Sequence, residues 1–270
     1  MRKNLRALDL FCGAGGLTEG LRQAGFEVIG GIELDPLACA TYRLNHPDVH
    51  LWQTDITRVS GAALMRELGL RRGQLELIAA CPPCQGFSSL RTKNGGRKVR
   101  DRRNDLIYDI LRLIKSMNPK AVMVENVPGL TRDRRYSHFV RTLETRGYFV
   151  TWKVLDAADF GVPQRRRRLV LLASRLHEPS FAKPARSYRT VRQCIGHLEA
   201  PARTRDSLHN YSVRQSKKVK ALIKLVPRDG GSRRALGPHS QLKCHRGFEG
   251  FHDVYGRMKW DAPAPTITTS

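Results

Sequence analysis

The sequence predicts an α/β fold built around a parallel, doubly wound sheet. Short apolar runs alternate, along the first two thirds of the chain, with stretches whose apolar residues recur at helical spacing. Several of these runs also end at a glycine, an acidic residue or a cysteine, as strands do where they lead into a ligand site. Alternation of strand and helix is typical of parallel sheets with helices on both faces.

Each element is predicted from one of these runs. The strand candidates are Leu8–Phe11, Val28–Glu33, His50–Asp55, Leu75–Ala80 and Ala121–Glu125. The helix candidates are Leu17–Ala24, Pro36–Asn45, Gly61–Leu68 and Asp105–Met117, the last with Leu106, Ile110, Leu113 and Ile114 on one face. Two further apolar runs, Tyr148–Leu155 and Leu169–Ala173, predict a final hairpin-like pair.

Beyond Ser174 the periodicity fades into a basic, proline-punctuated stretch. We therefore expect two parts, a main α/β domain over residues 1–183 and a smaller region over residues 184–270. The N-terminus has no apolar segment resembling a signal peptide, and no run is long enough to span a bilayer. The six cysteines are irregularly spaced, which fits a reducing compartment rather than a disulfide framework. An intracellular protein is expected.

The formal net charge is +24, from 48 Lys and Arg against 24 Asp and Glu. A surface this basic attracts polyanions, so nucleic acid is the leading partner. Net charge alone does not exclude a basic protein that binds no nucleic acid, because charge is evidence about association and not about fold.

The predicted strand ends meet at one edge of the sheet. Gly13, Gly15 and Gly16 follow the first strand, while Glu33 and Asp55 end the second and third. A glycine turn with an acid about twenty residues later suits a ribose-bearing ligand, and it describes NAD and S-adenosylmethionine sites alike. A tight turn without a ligand remains an alternative for the glycines alone.

The segment Cys81-Pro-Pro-Cys84 is more specific. A zinc site would need a second ligand pair at similar spacing, and Cys244 and His245 are adjacent instead, so no metal is expected. The order of elements is not that of a thioredoxin-like redox protein. Two prolines before Cys84 fix the backbone and favour a nucleophilic thiol presented to the crevice.

Four segments in order resemble motifs I, IV, VI and VIII of the DNA (cytosine-5)-methyltransferases. They are the run from Leu8 to Leu17, Pro82-Pro-Cys-Gln-Gly-Phe-Ser88, Glu125-Asn-Val127 and Gln164-Arg-Arg-Arg-Arg168. The run Asp101–Leu106 resembles motif V. The resemblance covers essentially the whole chain and implies a Rossmann-like sheet that uses S-adenosylmethionine.

The resemblance also implies roles for individual residues. Cys84 would add to carbon 6 of a flipped cytosine, Glu125 would protonate ring nitrogen 3, and Arg166 and Arg168 would hold the base. The cofactor would contact Phe11, Gly13, Gly15, Gly16, Glu33, Leu34, Asp55, Ile56, Pro83 and Leu106. DNA contacts are expected from Gln85, Ser88, Arg91, Arg97, Arg233, Arg257 and Thr266, with residues 184–270 as the target-recognition region.

The chain departs from the family pattern at its end. Segments resembling motifs IX and X are absent from the sequence. Either the chain is a shortened form of a longer enzyme or the enzyme is naturally split, and we expect the split, with a second polypeptide that supplies these motifs in a heterodimer. The enzyme is expected to act on double-stranded DNA in the cytoplasm of a prokaryote, near the nucleoid, within a restriction-modification system. The alternatives are a catalytically incomplete DNA-binding subunit and a tRNA cytosine methyltransferase, although Pro128-Gly-Leu-Thr131 stands where the latter favours Cys-Phe-Thr.

Overall fold

A seven-stranded sheet organises the part of the chain that the computed structural model describes, which is residues 5–83, 102–201, 203–210, 215–237, 240–242 and 255–267. Its strands are β1 (Leu5–Leu10), β2 (Phe26–Glu33), β3 (His50–Gln53), β4 (Leu77–Ala80), β5 (Ala121–Asn126), β6 (Phe149–Asp156) and β7 (Arg167–Ser174). They lie in the order β3-β2-β1-β4-β5-β7-β6. The order reverses at β1, where an open α/β sheet forms its ligand crevice.

The first five strands are parallel, and β7 pairs with β5 in the antiparallel sense. The predicted α/β, Rossmann-like sheet is therefore confirmed. The predicted final pair, β6 and β7, are neighbours in the sheet, and β7 is inserted between β5 and β6. Because β7 runs in reverse, its first residues lie beside the last residues of β5.

The helices of the sheet lie in the crossovers between strands. They are α1 (Gly16–Gln23), α2 (Pro36–Asn45), α3 (Gly61–Glu67), α4 (Leu106–Met117) and α5 (Arg134–Glu144). The first four match the predicted helices to within a residue. The fifth was not predicted, although its buried residues Tyr136, Phe139 and Leu143 recur at helical spacing, because most of its other residues are polar.

Helix starts are fixed by side-chain caps. The carboxylate of Asp35 accepts from the Ala38 amide at 2.8 Å, with Pro36 in the first helical position of α2. Asp133 caps α5 by accepting from the Arg135 amide at 2.8 Å. These two caps fix the first residues of α2 and α5. The loops that lead from the carboxyl ends of β2 and β5 to these helices therefore have a defined length.

The main core lies between β1, β4 and β5 and the helices α3 to α5. Its largest fully buried side chains include Leu8, Ile78, Ile110, Leu113 and Phe139. At roughly 1.5–3 kcal/mol for each buried side chain of this size, the hydrophobic effect holds these elements together. No helix among the described residues is long and apolar enough to cross a membrane.

The chain separates into two compact units. The first contains Met1–Leu155 and Arg168–Ala182, and the second contains Asp156–Arg167 and Lys183–Ser270. The second unit has two short helices, α6 (Val191–Ile195) and α7 (Lys217–Leu225), and a small apolar cluster of Leu222, Val226 and Leu236. The functional division into residues 1–183 and 184–270 stays a prediction.

Candidate active site

The glycine loop after β1 has an unusual backbone. Phe11, Gly13 and Gly15 all have positive φ angles, of 61°, 54° and 98°. Residues other than glycine rarely adopt positive φ angles. Phe11 does so in a loop whose conformation is fixed by the neighbouring residues. Gly16 begins α1, and a Cβ added there would meet no atom within 4 Å. The loop therefore leaves its outer face open to a ligand.

The ring of His46 packs against the glycine loop at Gly15. Its Nε2 lies 3.2 Å from the carbonyl oxygen of Gly15, and the ring is 4% exposed. A Cβ added to Gly15 would overlap two atoms of this ring. Gly15 is thus required for space as well as for its backbone conformation, and the sequence pattern alone does not reveal the contact with His46.

We expect Gly15→Ala to lower the free energy of unfolding by about 3 kcal/mol, since it adds backbone strain and an overlap with His46. Thermal unfolding of the purified chain measures this. The matched control is Gly20→Ala in α1, where an added Cβ meets nothing within 4 Å and helix propensity improves. Equal melting temperatures for Gly15→Ala and the wild type would contradict the role of this contact.

A buried polar layer supports the loop. Thr18 donates to the Asp9 carboxyl at 2.7 Å and shares a 2.8 Å hydrogen bond with the Tyr42 hydroxyl. Asp9 is fully buried, and burial raises its pKa to about 7. Its Oδ1 has no hydrogen-bond partner among the described residues. Sequence reasoning did not identify this layer.

Glu33 is held at the end of β2 by three backbone amides. One carboxylate oxygen accepts from Gly13 at 2.9 Å, and the other accepts from Leu34 and Asp35, each at 2.8 Å. This links the end of β2 to the glycine loop after β1. Leu34 beside it is 61% exposed. A fixed carboxylate at this strand end is suited to accept hydrogen bonds from ribose hydroxyls.

Asp55 caps the short turn Ile56–Arg58 after β3. Its carboxylate accepts from the amide and the hydroxyl of Thr57, both at 2.9 Å, and these bonds hold its pKa below the usual range. Next to it is a cleft of about 460 Å³, lined by Thr57, Arg102, Asp105, Leu106 and Asp109. The predicted cofactor residue Leu106 is part of that lining.

Arg112 of α4 holds the same turn from behind. Its guanidinium donates to the carbonyl oxygens of Val59 at 2.5 Å and Ile56 at 2.8 Å. It also pairs with Asp109 at 3.0 Å. Arg112 was missed by sequence reasoning because its partners lie more than fifty residues earlier in the chain.

Glu125 and Arg168 form an ion pair across two strands. The Nε of Arg168 lies 2.8 Å from Oε1 of Glu125, and both side chains are about a quarter exposed. Glu125 is opposite Val170 in the antiparallel register of β5 and β7, so Arg168, two residues before Val170, projects on the same face. The structure thus brings together two of the four predicted catalytic residues.

The segment leading to Cys84 is attached to β5. Asn126 is 5% exposed, and its amide nitrogen donates to the carbonyl oxygen of Pro82 at 3.1 Å. Its amide oxygen accepts from Val127 at 2.8 Å. Asn126 therefore fixes Pro82 relative to Glu125. Asn126 belongs to a quoted motif, but no role was predicted for it.

Cys81 has a different environment from a nucleophile. Burial, together with the nearby carboxylates of Glu125 and Asp9, raises the pKa of its thiol. The thiol also hydrogen-bonds Glu125. Cys81 is therefore kept protonated, and of the two cysteines in this segment it is the one suited to a structural role.

Five predicted site residues lie outside the described residues: Cys84, Gln85, Ser88, Arg91 and Arg97. Pro83, immediately before Cys84, is described and partly buried.

Arg166 and Thr266 belong to the second unit. The Arg166 amide donates to the Asp156 carboxylate at 2.9 Å. The Thr266 hydroxyl donates to the carbonyl oxygen of Arg165 at 2.6 Å, which attaches residues near the end of the described chain to this segment. Arg165 stacks on Tyr188 at 4.1 Å and pairs with Asp156, so its guanidinium is used within the unit.

Two predicted DNA-binding arginines have internal positions in the second unit. Arg233 is only 4% exposed, so its burial does not support the predicted DNA contact. Arg257 donates from Nη2 to the carbonyl oxygen of Ile223 in α7 at 2.8 Å. Arg257 thus connects its segment to α7, and the contacts of both arginines with DNA stay predictions.

Comparison with known proteins identifies the class. The profile of the family described as C-5 cytosine-specific DNA methylase matches residues 5–234. This chain belongs to that family, which comprises methyltransferases. It is 35% identical to the Type II methylase M.HgiDII of Herpetosiphon aurantiacus over 97% of this chain and 75% of the relative.

Other relatives share less of their length. The match to the Type II methyltransferase M.XorII of Xanthomonas oryzae is 36% identical and covers 71% of this chain but 46% of that protein. Among solved structures, a DNA modification methyltransferase encoded within an E. coli prophage has a TM-score of 0.59, at 27% identity over 70% of this chain and 54% of that one. None of these findings supports the predicted second polypeptide, which stays a prediction.

Proposed function

We propose that this chain transfers a methyl group from S-adenosylmethionine to carbon 5 of a flipped cytosine in double-stranded DNA, through a covalent adduct on Cys84. The observation that supports the proposal best is the Glu125–Arg168 ion pair. It lies beside Asn126, which holds Pro82, two residues before Cys84. Type II methylases among the relatives favour a specific DNA site and a restriction-modification setting.

The described residues fit the proposed cofactor. Its ribose hydroxyls would bind Glu33, and its adenine would lie near Asp55, Ile56 and Leu106. The open glycine loop and the cleft of about 460 Å³ support this assignment. When bound, S-adenosylmethionine supplies an electrophilic methyl group. The positive φ angles of Gly13 and Gly15 would let backbone amides come close to the ligand without side chains in between, and Phe11 would pack against it.

The protein's part of the chemistry is to activate the base. Carbon 5 of cytosine is a poor nucleophile until the Cys84 thiolate adds to carbon 6 and places electron density on carbon 5. Glu125 gives a proton to ring nitrogen 3, and the adjacent Arg168 stabilises the carboxylate that remains. Once carbon 5 carries the methyl group, loss of the carbon 5 proton to a base expels the Cys84 thiolate, and the proton on ring nitrogen 3 returns to Glu125, which restores the neutral aromatic ring. Arg166 would hold the base.

Base flipping is required because carbon 6 is inaccessible in stacked DNA. Removing a base from the helix costs a few kcal/mol. The basic segment from Ser88 to Asn104 is proposed to offset that cost through phosphate contacts, with Gln85 and Ser88 beside the target. Thr266 is proposed to contact the backbone phosphate next to the flipped base.

The test is covalent trapping. The purified chain is incubated with S-adenosylmethionine and duplex DNA in which 5-fluorocytosine replaces cytosine, which prevents loss of the proton from carbon 5. A second arm adds a polypeptide that carries motifs IX and X, and in that arm we expect a protein–DNA adduct that survives denaturation. Absence of both adduct and methyl transfer in both arms would contradict the proposal, and DNA binding without either would favour the incomplete subunit. An adduct formed by the chain alone would contradict the predicted need for a second polypeptide.

Arg112 provides a test of the adenine pocket. We expect Arg112→Met to raise the Kd for S-adenosylmethionine about tenfold, because the turn after Asp55 loses two hydrogen bonds to a charged donor. Calorimetric titration measures this. The matched control is Arg66→Met on α3, which removes the same group from an exposed position. An unchanged Kd would show that Arg112 does not position Asp55 and Ile56.

A further inference from the structure

A cationic cleft lies at the opposite edge of the sheet from Glu125. It has a volume of about 670 Å³, and four of the residues that line it are Arg72, Lys115, Arg146 and Arg175. Arg175 directly follows β7, whose last residue, Ser174, pairs with Ala121, the first residue of β5. The cleft is therefore at the amino end of β5, whereas Glu125 is near its carboxyl end. All of these residues belong to the first unit.

Arg175 is held rigidly in this cleft. Its Nε donates to the carbonyl oxygen of Pro119 at 3.0 Å and its Nη2 to that of Asn118 at 2.9 Å. Its guanidinium lies 5.9 Å from the centre of the Tyr148 ring. Asn118 itself has a left-handed backbone, with φ of 52°, which turns these carbonyl groups towards the arginine. One cation of the cleft is thus preorganised.

The other charges converge on the same place. Burial raises the pKa of the Tyr148 hydroxyl, and the charges of Arg175, Arg146 and Arg72 each oppose that rise. Arg175, Arg146 and Arg72, which all line the cleft, therefore lie close enough to one another to act on the same hydroxyl group. Among the described residues that line it, none is acidic. The nearby Glu76 is paired with Lys120 at 2.9 Å and with Arg6 at 3.9 Å.

Four cations without a carboxylate repel one another, so a bound anion would relieve the repulsion. Guanidinium groups form paired hydrogen bonds to phosphate oxygens, and the side-chain amide of Asn118, which also lines the cleft, can donate a further hydrogen bond. With a net charge of +24, the chain as a whole concentrates polyanions near its surface. The chemistry of the cleft therefore selects phosphate groups.

We propose that this cleft binds backbone phosphates of a nucleic-acid segment other than the one that carries the target cytosine. Glu125 is four residues beyond Ala121 in β5, which separates it from the amino end of the strand, where the cleft lies, by roughly 13 Å at about 3.3 Å per residue. A second, non-target segment of the same long DNA molecule is the occupant. The proposal rests on DNA as the substrate, and it adds a second contact that holds the enzyme on long DNA.

The test compares two duplexes, one that only covers the target site and one several times longer. We expect the double variant Arg72→Ala/Arg146→Ala to reduce the slope of log affinity against log salt on the long duplex by about 2, since each phosphate contact contributes about 0.9. Binding to the short duplex and methyl transfer on it should be unchanged. The matched control is Arg22→Ala/Arg66→Ala, which removes the same formal charge from exposed positions elsewhere in the unit.

Several outcomes would overturn the proposal. One is equal weakening by the two double variants, and another is equal weakening on both duplexes, because either would reflect net charge alone. Competition by pyrophosphate that depends on Arg72 and Arg146, without an effect on long DNA, would assign the cleft to a small phosphate instead. Thermal unfolding confirms that each variant is folded. A wild-type chain that binds DNA without methylating it would contradict the proposed function and leave this comparison valid.

Discussion

Replacing Cys84 with alanine is expected to lower kcat for methyl transfer by about 10⁴-fold or more, as removal of a covalent nucleophile does in other enzymes. Without the thiolate, carbon 5 of cytosine is not activated, and no other group supplies that step. DNA and cofactor binding should change little. Transfer of labelled methyl groups to duplex DNA measures the rate, and filter binding measures the affinity.

Cys81→Ala is the control for that result. Cys81 lies three residues earlier, but burial and two neighbouring carboxylates raise the pKa of its thiol, so it is not the nucleophile. We expect kcat of Cys81→Ala to stay within about tenfold of the wild type. If instead Cys81→Ala abolished the adduct and Cys84→Ala retained it, the assignment of the nucleophile would be wrong.

Glu125→Gln is expected to lower kcat about 10²- to 10³-fold, because glutamine keeps the size of the side chain but cannot give a proton to ring nitrogen 3. The Kd for S-adenosylmethionine should not change, since Glu33 and Asp55 hold that ligand in the proposed mechanism. Single-turnover kinetics with enzyme in excess over DNA separate this chemical step from product release.

Because Glu125 is paired with Arg168, a variant of Arg168 is a second, independent test of this site. Arg168→Lys keeps the positive charge but loses the planar group whose Nε contacts Glu125 at 2.8 Å, so an intermediate loss of kcat is expected. Glu178→Gln, on an exposed residue outside the site, is the matched control for removal of a carboxylate. Wild-type kinetics for Glu125→Gln would contradict the proposed proton transfer.

Much of the fold follows from short-range patterns in the sequence. The apolar runs at Val28–Glu33 and Ala121–Glu125 predict strands because both are short and end at an acidic residue, and the helical face from Leu106 to Ile114 predicts α4. Helix α5 was missed although Tyr136, Phe139 and Leu143 stand at helical spacing, because the polar residues around them lower the mean hydropathy of the segment. These three residues join the main core.

The candidate site was predicted in part for a similar reason. Residues that end strands, such as Glu33 and Glu125, are recognisable because sheet topology brings strand ends together. The contacts of Arg112 with Ile56, of His46 with Gly15, and of Asn126 with Pro82 connect residues that are 31 to 56 positions apart. No local spacing encodes such contacts. Burial of Arg233 likewise depends on how the second unit packs.

The reversed direction of β7 has a consequence for how the chain can tolerate insertions. Glu125 and Arg168 share a face because the register of β5 and β7 pairs Glu125 with Val170. Adding one residue to β7 between Arg168 and Val170 would turn Arg168 to the other face of the sheet and leave Glu125 without it. An insertion in the loop between α5 and β6 would leave that register intact. Insertions and deletions among natural relatives should therefore occur in such loops and not within the paired residues of β5 and β7.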